Sequence, residues 1–241
     1  MVCTHLKASI GVLLASGILL AWTVPAMKLD DQLSGAEAMA VSGRQGWQVK
    51  QVIAFGDFRI GPVKRGWTKG YDYPFIIRFT SAKEKLSFDT VDQSDRRAQA
   101  FCAGKLSEQD FHKFQEYFDI NLRTRDVFSC TVALGGSQTY DFFVDDLNQN
   151  RTSGTVTGSL RGSGLDVAIR PVWHLSNGKK TWDTRPLGME FVEGDAVLGA
   201  VEIINEGRVW LDDSLSADHR LVLASAASAL LLRSDLADHN D

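Results

Sequence analysis

With 241 residues, 44% of them apolar and 23% charged, the chain has the make-up of an ordinary globular protein and enough apolar material for one large or two small domains. Its formal net charge of -4 is small and of the wrong sign for a phosphate-binding surface, which excludes a general nucleic-acid binder.

The first residues bear on compartment. Lys7 precedes the apolar run ASIGVLLASGILLAW, and Thr23-Val24-Pro25-Ala26 then supplies small residues where a signal peptidase reads. Residues 1–26 are expected to be a signal peptide cleaved after Ala26. The alternative is an uncleaved anchor in the inner membrane over residues 8–27, which approaches the roughly 20 residues a spanning helix needs. Either way the body lies outside the cytoplasm, periplasmic or secreted. Cys3 stands before the apolar run, whereas a lipid-modified cysteine would follow it. Beyond the leader only Cys102 and Cys130 remain, an even number in a disulfide-permissive compartment, and they are expected to pair.

Residues 27–45 mix Gly, Ser, Ala and charge without a steady period and read as a linker. A single β-rich domain follows over 46–241. Trp47, Val49, Ile53 and Phe55 mark one half-buried strand, Phe75, Ile77 and Phe79 a second, and Leu86 and Phe88 a third, with another near Ala98 to Cys102. The period then becomes helical. Ser107 and Asp110 stand as N-cap and N3, and Phe111, Phe114, Tyr117 and Phe118 fall on one face of a helix from about Glu108 to Phe118. Phe128 to Leu134 and Tyr140 to Val144 alternate around Gly135-Gly136 as a hairpin, and Leu165 to Leu175 alternates again. At Asn177-Gly178 a two-residue type I′ turn would set Trp173 opposite Trp182.

The clearest stretch runs from Pro186 to Arg233. PLGMEFV, AVLGAVEII and RVWL, broken at Glu193-Gly194-Asp195 and Asn205-Glu206-Gly207, read as a three-strand meander with Val192 opposite Val197 and Phe191 opposite Leu198. Both faces of that pair are apolar, so both need cover. Ser216 then caps a helix in which LVLASAASALLL carries no charge, and a helix apolar on every side is a buried helix. The expected fold is therefore mainly β (α+β): an antiparallel sheet, as sandwich or open barrel, with an amphipathic helix mid-chain and a buried C-terminal helix.

Motifs for chemistry are few. The chain has no HExxH, CxxC, GxGxxG, P-loop or G-x-S-x-G, and no cofactor is implied. Asp146-Leu147-Asn148-Gln149-Asn150 begins like a calcium loop, but Arg151 replaces the turn glycine and Thr157 the bidentate glutamate, so it reads as a solvated turn and no metal site is expected. His174 beside Trp173, with Asp183 across the hairpin, is the one acid-base pair to consider. In the segment GPVKRGWTKGYDYP, Lys64, Arg65 and Lys69 alternate with Trp67, Tyr71 and Tyr73, cations and rigid aromatics suited to gripping an envelope protein, a glycan or an anionic surface. The functional expectation is an exported, non-enzymatic binding or structural module of the cell envelope. The alternatives are a hydrolase using His174 and Asp183, and a carrier of a small apolar ligand. Contact with a membrane is expected only through an uncleaved N-terminal segment.

Overall fold

The computed structural model describes residues 26–44, 51–66, 84–105, 107–118, 127–145, 156–183 and 185–237. A single 3-10 turn (Asp31–Leu33) precedes the strands. The strands are β1 (Met39–Ala40), β2 (Ile53–Phe55), β3 (Phe58–Ile60), β4 (Lys64–Arg65), β5 (Glu84–Val91) and β6 (Arg97–Gly104). After helix α1 (Glu108–Phe118) come β7 (Phe128–Leu134), β8 (Gln138–Val144), β9 (Gly158–Gly162) and β10 (Leu165–Val172). The meander β11 (Gly188–Glu193), β12 (Ala196–Glu202) and β13 (Arg208–Leu211) leads into helix α2 (Ala217–Ala237).

Every strand pair is antiparallel, and the order around the sheet is β1-β13-β12-β11-β10-β9-β8-β7-β6-β5-β3-β2, with β4 beside β5. The two ends of that order meet. Ser42 and Ala54 exchange backbone hydrogen bonds of 2.9 and 3.1 Å, so the sheet is a nearly closed barrel. Of the two architectures open to the sequence, the structure is barrel-shaped. Closure by short hairpins removes the exposed edges that an open sheet would present.

The period of two along each strand turns one apolar set inward. Phe128, Cys130, Val132 and Leu134 of β7, Tyr140, Phe142 and Val144 of β8, and Leu165, Val167 and Ile169 of β10 all belong to one core cluster. That cluster also holds Leu221 to Ala224, Ala226, Ala227 and Ala229 to Leu232 of α2. Residues 221–232 are all buried, and α2 packs on β6 and β7 and also on β3, β5, β12 and β13. These strands form an arc that wraps the helix, so α2 lies inside the barrel. Small residues let it fit: Ala98 and Ala100 line the inner face of β6, and alanines and serines recur along α2. Ser225 and Ser228 donate to the carbonyls of Leu221 and Ala224 at 2.9 and 2.7 Å, which satisfies both hydroxyls inside an apolar lumen. Ser216 caps the helix, its Oγ accepting from the His219 N–H at 3.2 Å.

Cys102 and Cys130 face each other across β6 and β7 in the lumen, at disulfide distance with 2.07 Å between sulfurs. α1 sits in the connection between them. Its Phe114 meets Phe143 edge-on at 5.4 Å and covers the outer face of β8.

The meander needs a second cover, and residues expected as a linker supply it. Met27 and Leu33 are buried against Val192, Val197, Ala200 and Trp210 on the outer side of β11 to β13, and β1 pairs with β13. Gly188 makes room for this segment, since a Cβ there would lie 2.2 Å from Met27 Sδ and 2.2 Å from the Val201 carbonyl oxygen. One register also differs from expectation. Val192 is opposite Val197, but a bulge between Phe191 and Val192 places Phe191 opposite Gly199 instead of Leu198.

Candidate functional site

Between the N-terminal segment and the outer wall of β10 and β11 lies an open hollow of about 340 Å³. Lys28 and Asp30 form one side, Arg170 and Glu190 the floor, and Trp173 and His174 the far end. The floor follows from register. Arg170 and Glu190 are directly opposite on β10 and β11, and the guanidinium donates from Nε at 2.9 Å to Glu190 Oε2. A second nitrogen of Arg170 stands 2.8 Å from the same oxygen and 3.7 Å from Asp30. Glu190 is buried, and burial pushes its carboxyl above the usual range although the Arg170 hydrogen bond and charge pull the other way. Trp173 is buried at the end of the hollow, and its Nε1 has no hydrogen-bond partner.

The hairpin after Trp173 carries a different turn from the one expected. The Gly178 N–H donates to the Leu175 carbonyl at 2.8 Å, and the Leu175 N–H to the Lys179 carbonyl at 2.8 Å. Gly178 has φ +80° whereas Asn177 is not left-handed, so the loop is three residues closed by a glycine and not a two-residue type I′ turn. The extra residue moves the register by one. His174 bridges Lys180, Trp173 receives the Thr181 N–H at 2.8 Å, and Trp182 turns to the other face, where it is 97% exposed.

His174 and Asp183 are not brought together. The Asp183 carboxylate accepts from the Arg185 backbone N–H at 3.0 Å, and the His174 imidazole has no hydrogen bond or ion pair among the described residues. Of the segment rich in cations and aromatics, Lys64 is exposed on β4 opposite Ser87, and Arg65 pairs with Leu86 and donates to Gln51 Oε1 at 3.3 Å. Trp67, Lys69, Tyr71 and Tyr73 lie outside the described residues, as do Asp146 to Asn150. Among the described residues no group of His, Cys, Asp or Glu could hold a metal ion, and no helix is long and apolar enough to cross a membrane.

Sequence reasoning passed over Arg170 and Glu190. Their signal was present: each is a charge flanked on both sides by apolar residues in the interior of a strand, and a charge drawn out of water there needs a partner of opposite sign on the neighbouring strand. Glu202 and Arg208 repeat the pattern on β12 and β13, with Arg208 Nε 2.6 Å and a second nitrogen 3.1 Å from the carboxylate oxygens. The chain matches no protein-family model, no curated protein and no solved structure.

Proposed function

We propose that the protein is an exported, non-enzymatic binding module of the cell envelope that holds its partner on the outer wall of the barrel, at the hollow and the adjoining hairpin. The observation that carries this reading is Trp182, 97% exposed one residue beyond the pairing partner of Trp173. An exposed tryptophan on a hairpin is a ready anchor, and such anchors contribute about 2 kcal/mol or more when a partner covers them. Lys179 and Lys180 are exposed on the same hairpin, and Lys28 is exposed on the rim of the hollow. That combination suits a partner with acidic groups and flat apolar faces, such as an acidic glycan or an acidic protein surface. The interior supports the same reading, because α2 takes the space that a carrier of an apolar ligand would keep open. The segment that begins at Lys64 is the second surface to test.

The experiment is photo-crosslinking in the native envelope with a photoreactive residue at position 182, at position 64, and at His112, exposed on α1, as control. Adducts enriched at 182 over 112 are expected. No enrichment at 182 overturns the proposal, and enrichment at 64 alone moves the contact surface to the segment that starts there.

A further inference from the structure

The N-terminal segment enters the fold at a buried carboxylate. The Met27 N–H donates to Glu202 Oε1 at 2.6 Å, Met27 is 3% exposed and Glu202 is 2% exposed. The neighbours fix the geometry: the Lys28 N–H donates to the His174 carbonyl at 2.8 Å, and the Ser176 N–H to the Ala26 carbonyl at 2.9 Å. The bond between Ala26 and Met27 is also the one at which the leader is expected to be removed. We infer that leader removal completes this site, because the α-ammonium of Met27 takes the place of its amide and forms an ion pair with Glu202 that locks the processed N-terminus onto the barrel wall. The inference rests on the proposed export and on cleavage after Ala26.

The chemistry balances. A leader endopeptidase hydrolyses the Ala26–Met27 peptide bond with one water, leaving a carboxylate on Ala26 and a protonated amine on Met27. The departing carboxylate takes with it the acceptor of Ser176, and the ammonium gains two further donors beside Glu202. In the uncleaved chain the same nitrogen is a neutral amide with one proton to give, so the carboxylate distinguishes the two states by a full charge. Arg208 holds both oxygens of Glu202 from β13 and keeps the carboxylate aimed at the Met27 nitrogen.

The test uses the exported full-length gene product. Sequencing of its N-terminus is expected to return Met27. Acylation of the α-amino group is then measured at near-neutral pH in the native protein and in urea. The native rate is expected to be at least tenfold slower, the equivalent of about one unit of pKa. Unfolding stability is expected to fall as pH rises above about 8, where a free α-amino group discharges, because the folded state raises the pKa of an amine beside a carboxylate. Protein acetylated on that nitrogen while unfolded, and then refolded, should lack this fall. Lys28, Asp30, Arg170, His174 and Glu190 line the adjoining hollow and Arg208 holds Glu202, and all six are common to both forms, so the difference isolates the α-amino group. Glu202→Gln should abolish both effects, and the acetylated protein keeps the test valid if that variant does not fold. A mature chain that starts at Met27 but is acylated equally fast when native and when unfolded overturns the ion pair. A chain that starts elsewhere overturns the cleavage site, a separate failure.

Discussion

The position of α2 inside the barrel is open to a four-variant test. Leu221, Val222, Leu223 and Ala224 are consecutive, about 100° apart around the helix axis, and together sample about 300° of its circumference. All four are 0% exposed. A helix lying on the surface of a sheet would have at least one of four successive positions in water. Replacing each in turn with Asp either buries a charge or forces the carboxyl to stay protonated. Holding an aspartate neutral at pH 7, about three units above its reference pKa, costs about 4 kcal/mol at 1.36 kcal/mol per unit. The three larger residues lose packing as well, and a whole domain is stable by only about 5–15 kcal/mol. With a urea slope of about 1–3 kcal/mol/M, each midpoint should fall by roughly 1.3–4 M, read from tryptophan fluorescence with the cysteine pair oxidised. Any one of the four variants unfolding at the wild-type midpoint would refute the enclosed helix and put that side of it in solvent.

The remaining predictions concern the walls. Cys102 and Cys130 are separated by 28 residues, so loss of their link in the Cys102→Ser, Cys130→Ser double variant should lower stability by about 3.5 kcal/mol on the chain-entropy estimate, and non-reducing peptide mapping should recover the two cysteines as one linked fragment. Gly188→Ala drives a methyl group into Met27 Sδ and the Val201 carbonyl, and it should cost about 1–3 kcal/mol and speed proteolysis of residues 27–36, whereas the same change at Gly35, which has nothing within 4 Å of the added carbon and no left-handed φ, adds neither clash nor backbone strain. Tyr117 donates to Asp141 Oδ2 at 2.7 Å, and partial burial, that hydrogen bond and the Asp141 charge push its hydroxyl up to about 12 from 10.0. A raised pKa favours the neutral form in the folded state, so this contribution is present below pH 10 and is lost as pH rises through about 12. Tyr117→Phe should flatten stability across that window, and an unchanged slope would detach the pair from the fold.

The meander and the terminal helix were legible because their signals are local. A run without charge between Arg220 and Arg233, apolar but for two serines, demands burial on all sides whatever surrounds it, and glycines at Gly194 and Gly207, at φ +59° and +90°, mark the turns. The barrel was not separable from a sandwich, since alternation names an inner face without saying whether the sheet closes on itself or on a second sheet. The hairpin at Asn177-Gly178 failed for a related reason. The dipeptide fits a two-residue turn and also the three-residue loop in which only the glycine is left-handed, and the choice between them moves Trp182 from a buried pair to open water.

The N-terminal segment shows how a demand can be legible while its supplier is not. Val192 and Val197 fall opposite each other in the sequence reading, which required cover on the outer face of β11 and β12, and the terminal helix was the only apolar element to hand. One helix inside a barrel covers only the inner face. Met27, Leu29 and Leu33 cover the outer one from a stretch whose glycines, serines and charges mask its three anchors. Such a segment has little periodic signal because it lies across the strands and buries single side chains into separate gaps. Its docking is polar at the entrance, at Glu202, and apolar beyond it. An apolar stretch alone can slide, and the carboxylate fixes which residue enters first. The buried Glu202, unexplained by alternation within β12, is then accounted for by the Met27 N–H and the Arg208 guanidinium that it receives.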